Sequence, residues 1–361
     1  MKTLLLGDFS PTKCSAPYFV KKDMDALFSD MLSLFQESDF SIVNLECALT
    51  ESDGDIKKFG PALKAPLETA EVMKSAGIYY CGLSNNHIFD YGIKGYRDTI
   101  AALKNAGITY TGFGENYEDS RKNLIVEKDG ETICVIAVCE HEYSYALENR
   151  MGSRPFDPID TLEDIRNAKK EADRVIVMYH GGKEQCFYPS PRLLKVCRAM
   201  VDNGADVVLC QHGHCVGCYE NYNGGHILYG QGNFHFADIE KGLAGWNTSL
   251  AVKYDTTTNE ISFVPLASTE TGVRLANEEE QKEILTGFEK RNAELKDGAW
   301  KAGWRAFCEE KREIYTSAIT NAYTEHSRPI DNEFFNHYLD CEAHSDVWRE
   351  LFPTWNKTNE L

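Results

Sequence analysis

Over the first three quarters of the chain, short apolar runs rich in β-branched residues alternate with amphipathic stretches. Thr3–Leu6, Ser41–Leu45, Ile78–Leu83, Ile133–Val138, Val175–Tyr179, Val207–Cys210 and Ile227–Gly230 read as strands. Met24–Phe35, Leu67–Ala76, Ile93–Ala106, Leu162–Ala172 and Leu193–Asn203 carry apolar residues at helical spacing. Gly77, Gly107 and Gly204 stand just beyond three of these helices, where a left-handed cap residue is expected. The alternation predicts an α/β architecture with buried, largely parallel strands. Farther on, Leu250–Tyr254 and Ile261–Pro265 flank Thr256-Thr257-Thr258-Asn259, the pattern of a late antiparallel hairpin.

Near residue 275 the pattern changes. Asn277–Asn292 is rich in Glu and Lys and helical in spacing, as is Trp300–Tyr323. Four of the five tryptophans, Trp300, Trp304, Trp348 and Trp355, fall in this last quarter. The expected organisation is an α/β domain over residues 1–270 and a helical extension over 271–361 that packs its aromatics on the body. The alternative is a helical module that docks a protein partner, since exposed aromatic surface is rare in monomers.

Composition narrows the function classes. Of the 361 residues, 42% are hydrophobic and 26% charged, as in an ordinary globular protein. A net charge of −18 without a Lys/Arg block argues against nucleic-acid phosphates and anionic membranes as partners. The leucines at positions 4–6 are too few for a signal-peptide core, and no later apolar run nears the ~20 residues of a membrane span. The expectation is a cytoplasmic chain without a membrane anchor, its twelve cysteines reduced. Cys215-Val216-Gly217-Cys218 has redox or zinc spacing, but zinc needs two further ligands, and ordinary thiols are the plainer reading.

Candidate chemistry sits just after the strands. Asp8 follows the first, Glu46 the second and Asn86 the third; His180 follows a later one, and His212 and His214 the next. Each alone has a dull reading as a turn residue, a cap or the end of a buried strand. Together they occupy equivalent points, because in parallel α/β sheets the loops at the carboxyl ends of strands converge on one region. A mixed His, carboxylate and amide set suits Mn, Zn or Fe, and one shared carboxylate can bridge two ions.

Gly7-Asp8, Asn44-Leu45-Glu46, Ser84-Asn85-Asn86-His87 with Asp90-Tyr91-Gly92, His180-Gly181-Gly182-Lys183-Glu184, His212-Gly213-His214 and Gly230-Gln231-Gly232-Asn233-Phe234 follow one another in this order. In this the chain resembles the CapA family of bacterial capsule and poly-γ-glutamate synthesis proteins, a branch of the calcineurin-like metallophosphoesterase superfamily. The resemblance covers about residues 1–267. It implies a four-layered α/β/β/α sandwich with one or two divalent ions at the strand ends. It implies Glu46 as the bridging carboxylate, Asn86, His180 and His212 completing one metal position, and Asp8 and His214 completing the other. His87 would be leaving-group acid or substrate contact and Asp90 its orienting partner, with Glu184, Asn44 and Asn233 contacting substrate. His141 and Glu142 follow another strand and could line the pocket, while His226 and His235 are read as structural. Two departures stand out: Asp8-Phe9-Ser10 lacks the histidine many metallophosphoesterases carry there, and Glu46 replaces their bridging aspartate. The implied function is a metal-dependent hydrolase acting on a phosphoester or γ-glutamyl amide, its substrate an anionic small molecule or polymer. The alternative is a non-catalytic accessory protein of polymer synthesis that binds metal and polyanion.

Overall fold

In the computed structural model, which describes residues 1–353, two β-sheets lie face to face between outer layers of helix. The first sheet runs in the order Val273–Leu275, Glu260–Ser268, Thr248–Asp255, Lys2–Phe9, Phe40–Leu45, Tyr80–Gly82, Thr109–Thr111. Its last four strands are mutually parallel, and its first three join antiparallel. The second sheet runs Tyr219–Tyr222, Gly225–Leu228, Val207–Gln211, Arg174–His180, Glu131–Cys139, Leu124–Lys128, parallel through its four central strands and antiparallel at both edges. The late hairpin forms as expected, with Tyr254 opposite Ile261 and Leu250 opposite Pro265.

The period-2 alternation of side chains explains the layering. Leu5 and Ile42 point inward and share one buried cluster with Val135, Ile176, Met178 and Leu209 of the second sheet. Leu4, Leu6 and Val43 point the other way, beneath Phe19, Leu27, Met73 and Leu103 of the first helices. On the outer face of the second sheet, Val177, Tyr179 and Val208 lie under Ile165, Cys197 and Met200. Trp300, Trp304, Tyr315 and Val347 of the extension lie in that same cluster. The result is the four-layered α/β/β/α sandwich. Trp355 falls outside the described residues.

Gly77 and Gly107 cap their helices at φ of 105° and 69°, as the spacing predicts. Two long helical patterns are broken instead. Met24–Phe35 becomes helices Met24–Phe28 and Leu32–Gln36 around a 3-10 turn, with Ser29 at a φ of 46°. There the Asp30 carboxylate accepts the backbone N–H of Leu275. Trp300–Tyr323 divides at Lys311 into Trp300–Glu310 and Arg312–Asn321. All twelve cysteines are free thiols. Among the described residues no helix is long and apolar enough to cross a membrane.

His235 ends the strand Asn233–His235 inside a cage of Phe9, Phe19 and Phe28, with ring centroids 5.2, 5.0 and 5.6 Å away. Burial pushes its pKa down to about 4. The unfolded chain therefore takes up a proton near pH 6.5 that the folded chain refuses, and stability drops as pH falls from 6.5 to 4. At pH 4 the penalty is about 3 kcal/mol. Urea melts at pH 7 and pH 4 should show His235→Phe gaining on wild type by about that amount; equal pH slopes for the two proteins would refute the assignment.

Candidate metal centre

Parallel strands of both sheets end at one edge of the sandwich, and their last or next residues carry the polar side chains. Asp8 lies near the end of Lys2–Phe9 and pairs in register with Asn44, while His180 ends Arg174–His180 opposite Gln211. Glu46 comes one residue after Phe40–Leu45, and His212 one residue after Val207–Gln211. Close backbone approach makes this convergence tight. A Cβ on Gly7 would stand 2.2 Å from the Gly232 carbonyl oxygen, so only glycine lets the Asp8 strand lie against the Gly232-Asn233 turn. His212 and His214 adopt φ of 81° and 52°, a left-handed conformation that side chains rarely take and that the Asp8 carboxylate helps hold by accepting the His212 N–H at 3.0 Å.

Six candidate ligands gather here. Asp8, Glu46 and His180 can each offer one ligand atom within a 4.8 Å spread, and so can Glu46, His212 and His214. Glu46 belongs to both groups. Asn86 Oδ1 lies 3.0 Å from His180 Nε2, which is itself 3.5 Å from Glu46 Oε1. Asp8 Oδ2 is 3.6 Å from His214 Nδ1. His180 lies nearer Asn86, at 3.0 Å, than Asp8, at 3.8 Å, and the His212 ring lies nearer His180 than His214, with centroids 4.8 and 6.0 Å apart.

Whether these residues fit a cation is answered by Glu46. It is 0% exposed, and neither carboxylate oxygen has a hydrogen-bond partner. Burial, then repulsion from Asp8, Glu184 and Glu142, pushes its carboxyl well above the usual range. A buried carboxylate left so bare is costly unless a cation meets it. His212 Nδ1 is likewise buried without a partner. Burial and the neighbouring His212, His214 and His87 hold His180 well below its ordinary pKa, hence in the neutral, metal-ligating form. The donor set fits a divalent cation.

Asn44 and Asn233, expected to contact substrate, have hydrogen-bond partners within the cluster. Asn44 is buried with its amide nitrogen donating to Asp8 Oδ1 at 2.8 Å and lying 3.0 Å from His180 Nδ1, while its oxygen accepts from Asn85. Asn233 accepts from His214 Nδ1 at 2.8 Å and donates to the Trp246 carbonyl. The Asn233 oxygen accepts from the His214 ring, the support that metal-binding imidazoles ordinarily receive, while the Asn44 amide nitrogen faces Asp8 and His180. Glu184 differs: its side chain is 48% exposed, with Oε1 3.9 Å from His214 Nε2, at the rim of the cluster.

Beside the cluster, Asn85 Oδ1 accepts the backbone N–H groups of His87 and Ile88 and so shapes the turn that carries His87. Asp90 Oδ2 lies 2.7 Å from His87 Nδ1 and also accepts the Leu63 N–H. Lys58, which no sequence pattern singles out, stands behind both, with its ammonium 2.5 Å from Asp90 Oδ1 and 3.0 Å from His87 Nδ1. Glu142 reaches the cluster, 3.6 Å from His212 Nε2, whereas His141 turns to Glu342 of the extension at 2.7 Å. The strand-end signal is present for Glu142, three residues after Glu131–Cys139.

The family model for the bacterial capsule synthesis protein PGA_cap matches residues 2–238. The chain is 30% identical over 243 residues to the PGA biosynthesis protein CapA of Bacillus subtilis (strain 168), covering 65% of this chain and 62% of that protein. It is 33% identical over 213 residues to the capsule biosynthesis protein CapA of Bacillus anthracis, covering 56% and 51%. It thus spans between half and two thirds of these relatives' lengths. A putative 5'-nucleotidase from Staphylococcus aureus superposes with a TM-score of 0.46 at 14% identity, covering 80% of this chain and 58% of that one.

Proposed function

Because the chain belongs to the bacterial capsule synthesis protein PGA_cap family, we propose that it is a metal-dependent hydrolase of capsule, polyglutamate or related polymer metabolism, cleaving a phosphoester or γ-glutamyl amide. The observation that carries this reading is the bare, fully buried Glu46 carboxylate shared by two groups of candidate ligands. A divalent cation bound there supplies Lewis acidity and lowers the pKa of bound water toward ~7.

The chain's own residues complete the chemistry. Asp8, Glu46, Asn86, His180, His212 and His214 would hold the cation, Glu46 being common to both groups of candidate ligands. Asn44 and Asn233 fix the rotation of His180 and His214. His87 gives a proton to the departing oxygen or nitrogen, with Asp90 fixing its ring. Glu184 at the open rim contacts the substrate beside the scissile bond.

A second reading, an accessory protein that binds metal and polyanion without turnover, is favoured by one observation. The first strand offers Asp8 alone, since Phe9 is buried in the aromatic core and Ser10 replaces the histidine that would complete that position. Metal content after manganese loading and desalting, measured by mass spectrometry for wild type and His212→Ala, tests both readings. About one or two equivalents, lost in the variant, are expected, followed by turnover of a member of a phosphoester and γ-glutamyl amide panel. Metal without turnover would select the accessory reading, and no metal in wild type would overturn both.

A further inference from the structure

The extension lies beyond residue 238, where the family match ends, yet it reaches the metal centre. Its helix Pro329–Asp340 faces the loop that carries Lys57 to Phe59: Lys57 pairs with Glu333 at 2.6 Å, and Phe59 packs on Phe334 with ring centroids 4.7 Å apart. His337 projects from the same helix and lies between two body aromatics. It stacks on Tyr143 at 5.2 Å with 10° between planes, and on Phe59 at 5.7 Å with 26°.

From His337 a continuous run of polar contacts leads into the cluster. His337 Nδ1 is 3.5 Å from Glu142 Oε1, and the other oxygen of that carboxylate is 3.6 Å from His212 Nε2. On the far side, His337 Nε2 is 3.2 Å from His344 Nε2, and His344 Nδ1 is 2.6 Å from the Tyr315 hydroxyl. His344 sits on the next helix, Glu342–Leu351, which is itself pinned to the body by Glu342 on His141 and Asp346 on Ser190 and Arg192. Three groups of the extension thus stand in line behind one carboxylate of the body, and that carboxylate faces a candidate ligand.

We propose that the C-terminal extension is a working part of the metal centre, with His337 a positioning residue that fixes Glu142 against His212. The inference rests on the metal-centre reading above. An oriented carboxylate behind a ligating histidine ordinarily contributes 10–100-fold in metal affinity or activity. Here the orientation comes from a segment outside the family match, so the extension acts through the site and not only through packing.

The test is calorimetric titration of the full-length chain with Mn²⁺. His337→Phe keeps a ring between Phe59 and Tyr143 but removes both nitrogens. It is expected to weaken Mn²⁺ about 10–100-fold while the melting temperature of the metal-free protein stays at the wild-type value. Glu142→Gln is expected to weaken Mn²⁺ similarly, and the double variant to be no worse than the weaker single one, because the two residues act through one path. Should His337→Phe fail to fold, His344→Phe removes the next contact in the line and is expected to weaken Mn²⁺ several-fold. Unchanged affinity in the folded histidine variant, or additive losses in the double, would overturn the inference while leaving the metal centre standing. A wild type that binds no Mn²⁺ would overturn the metal-centre reading itself, and this inference with it.

Discussion

Glu46→Gln is expected to abolish metal retention and yet to make the metal-free protein more stable than wild type. The two halves of this result share one cause. In the metal-free protein a carboxylate is enclosed with neither oxygen hydrogen-bonded, repelled by Asp8, Glu184 and Glu142 more than Lys58 draws it. The Gln amide is no better hydrogen-bonded, but it carries no charge against those three carboxylates, a relief on the order of 1 kcal/mol. With Mn²⁺ the order reverses. A cation that binds only the folded state at 100 times its Kd stabilises by about 2.7 kcal/mol, several degrees in Tm for a domain of this size. Thermal melts should therefore rank wild type with Mn²⁺ above Glu46→Gln, and Glu46→Gln above metal-free wild type, with the variant indifferent to Mn²⁺. A variant that melts below metal-free wild type, or that rises with Mn²⁺ as wild type does, would show that Glu46 is not the shared ligand.

The residues that produce this result are largely legible in the amino-acid sequence, and the reason is topological. A buried strand appears in sequence as a short apolar run, so a polar residue at its carboxyl end is conspicuous, as Asp8, Glu46, His180 and His212 are. The direction of a side chain is not conspicuous. Asn44 and Asn233 have the composition of substrate contacts, and only three-dimensional register shows that their amides face His180 and His214. Long-range contacts are still less visible. Lys58 meets Asp90 across 32 positions, and nothing near Lys57-Lys58-Phe59 announces it. His337 reaches Glu142 from a helix whose pattern is simply amphipathic.

His87→Ala is expected to cost about 10²–10⁴ in turnover while leaving metal content at the wild-type level, the range spanned by a positioned general acid. The separation follows from geometry. Asn86 faces His180 inside the ligand group, whereas the His87 ring meets Asp90 through Nδ1, outside that group. Asp90 accepts from Lys58 and from the Leu63 N–H, so it ties His87 to the loop bearing Lys58. Asp90→Asn should accordingly retain metal, keep much of the Leu63 contact and lose about 10–100-fold in turnover by letting the ring rotate. Lys58→Met should be harsher on the fold than on the metal, because it takes away the ammonium paired with the fully buried Asp90 carboxylate. A steady-state comparison of kcat with metal content measured on the same samples decides the matter. If His87→Ala loses metal in proportion to turnover, His87 is a ligand or a structural prop and the acid role fails; if turnover alone falls, Asp90 and Lys58 are the scaffold of a proton donor aimed at the departing group.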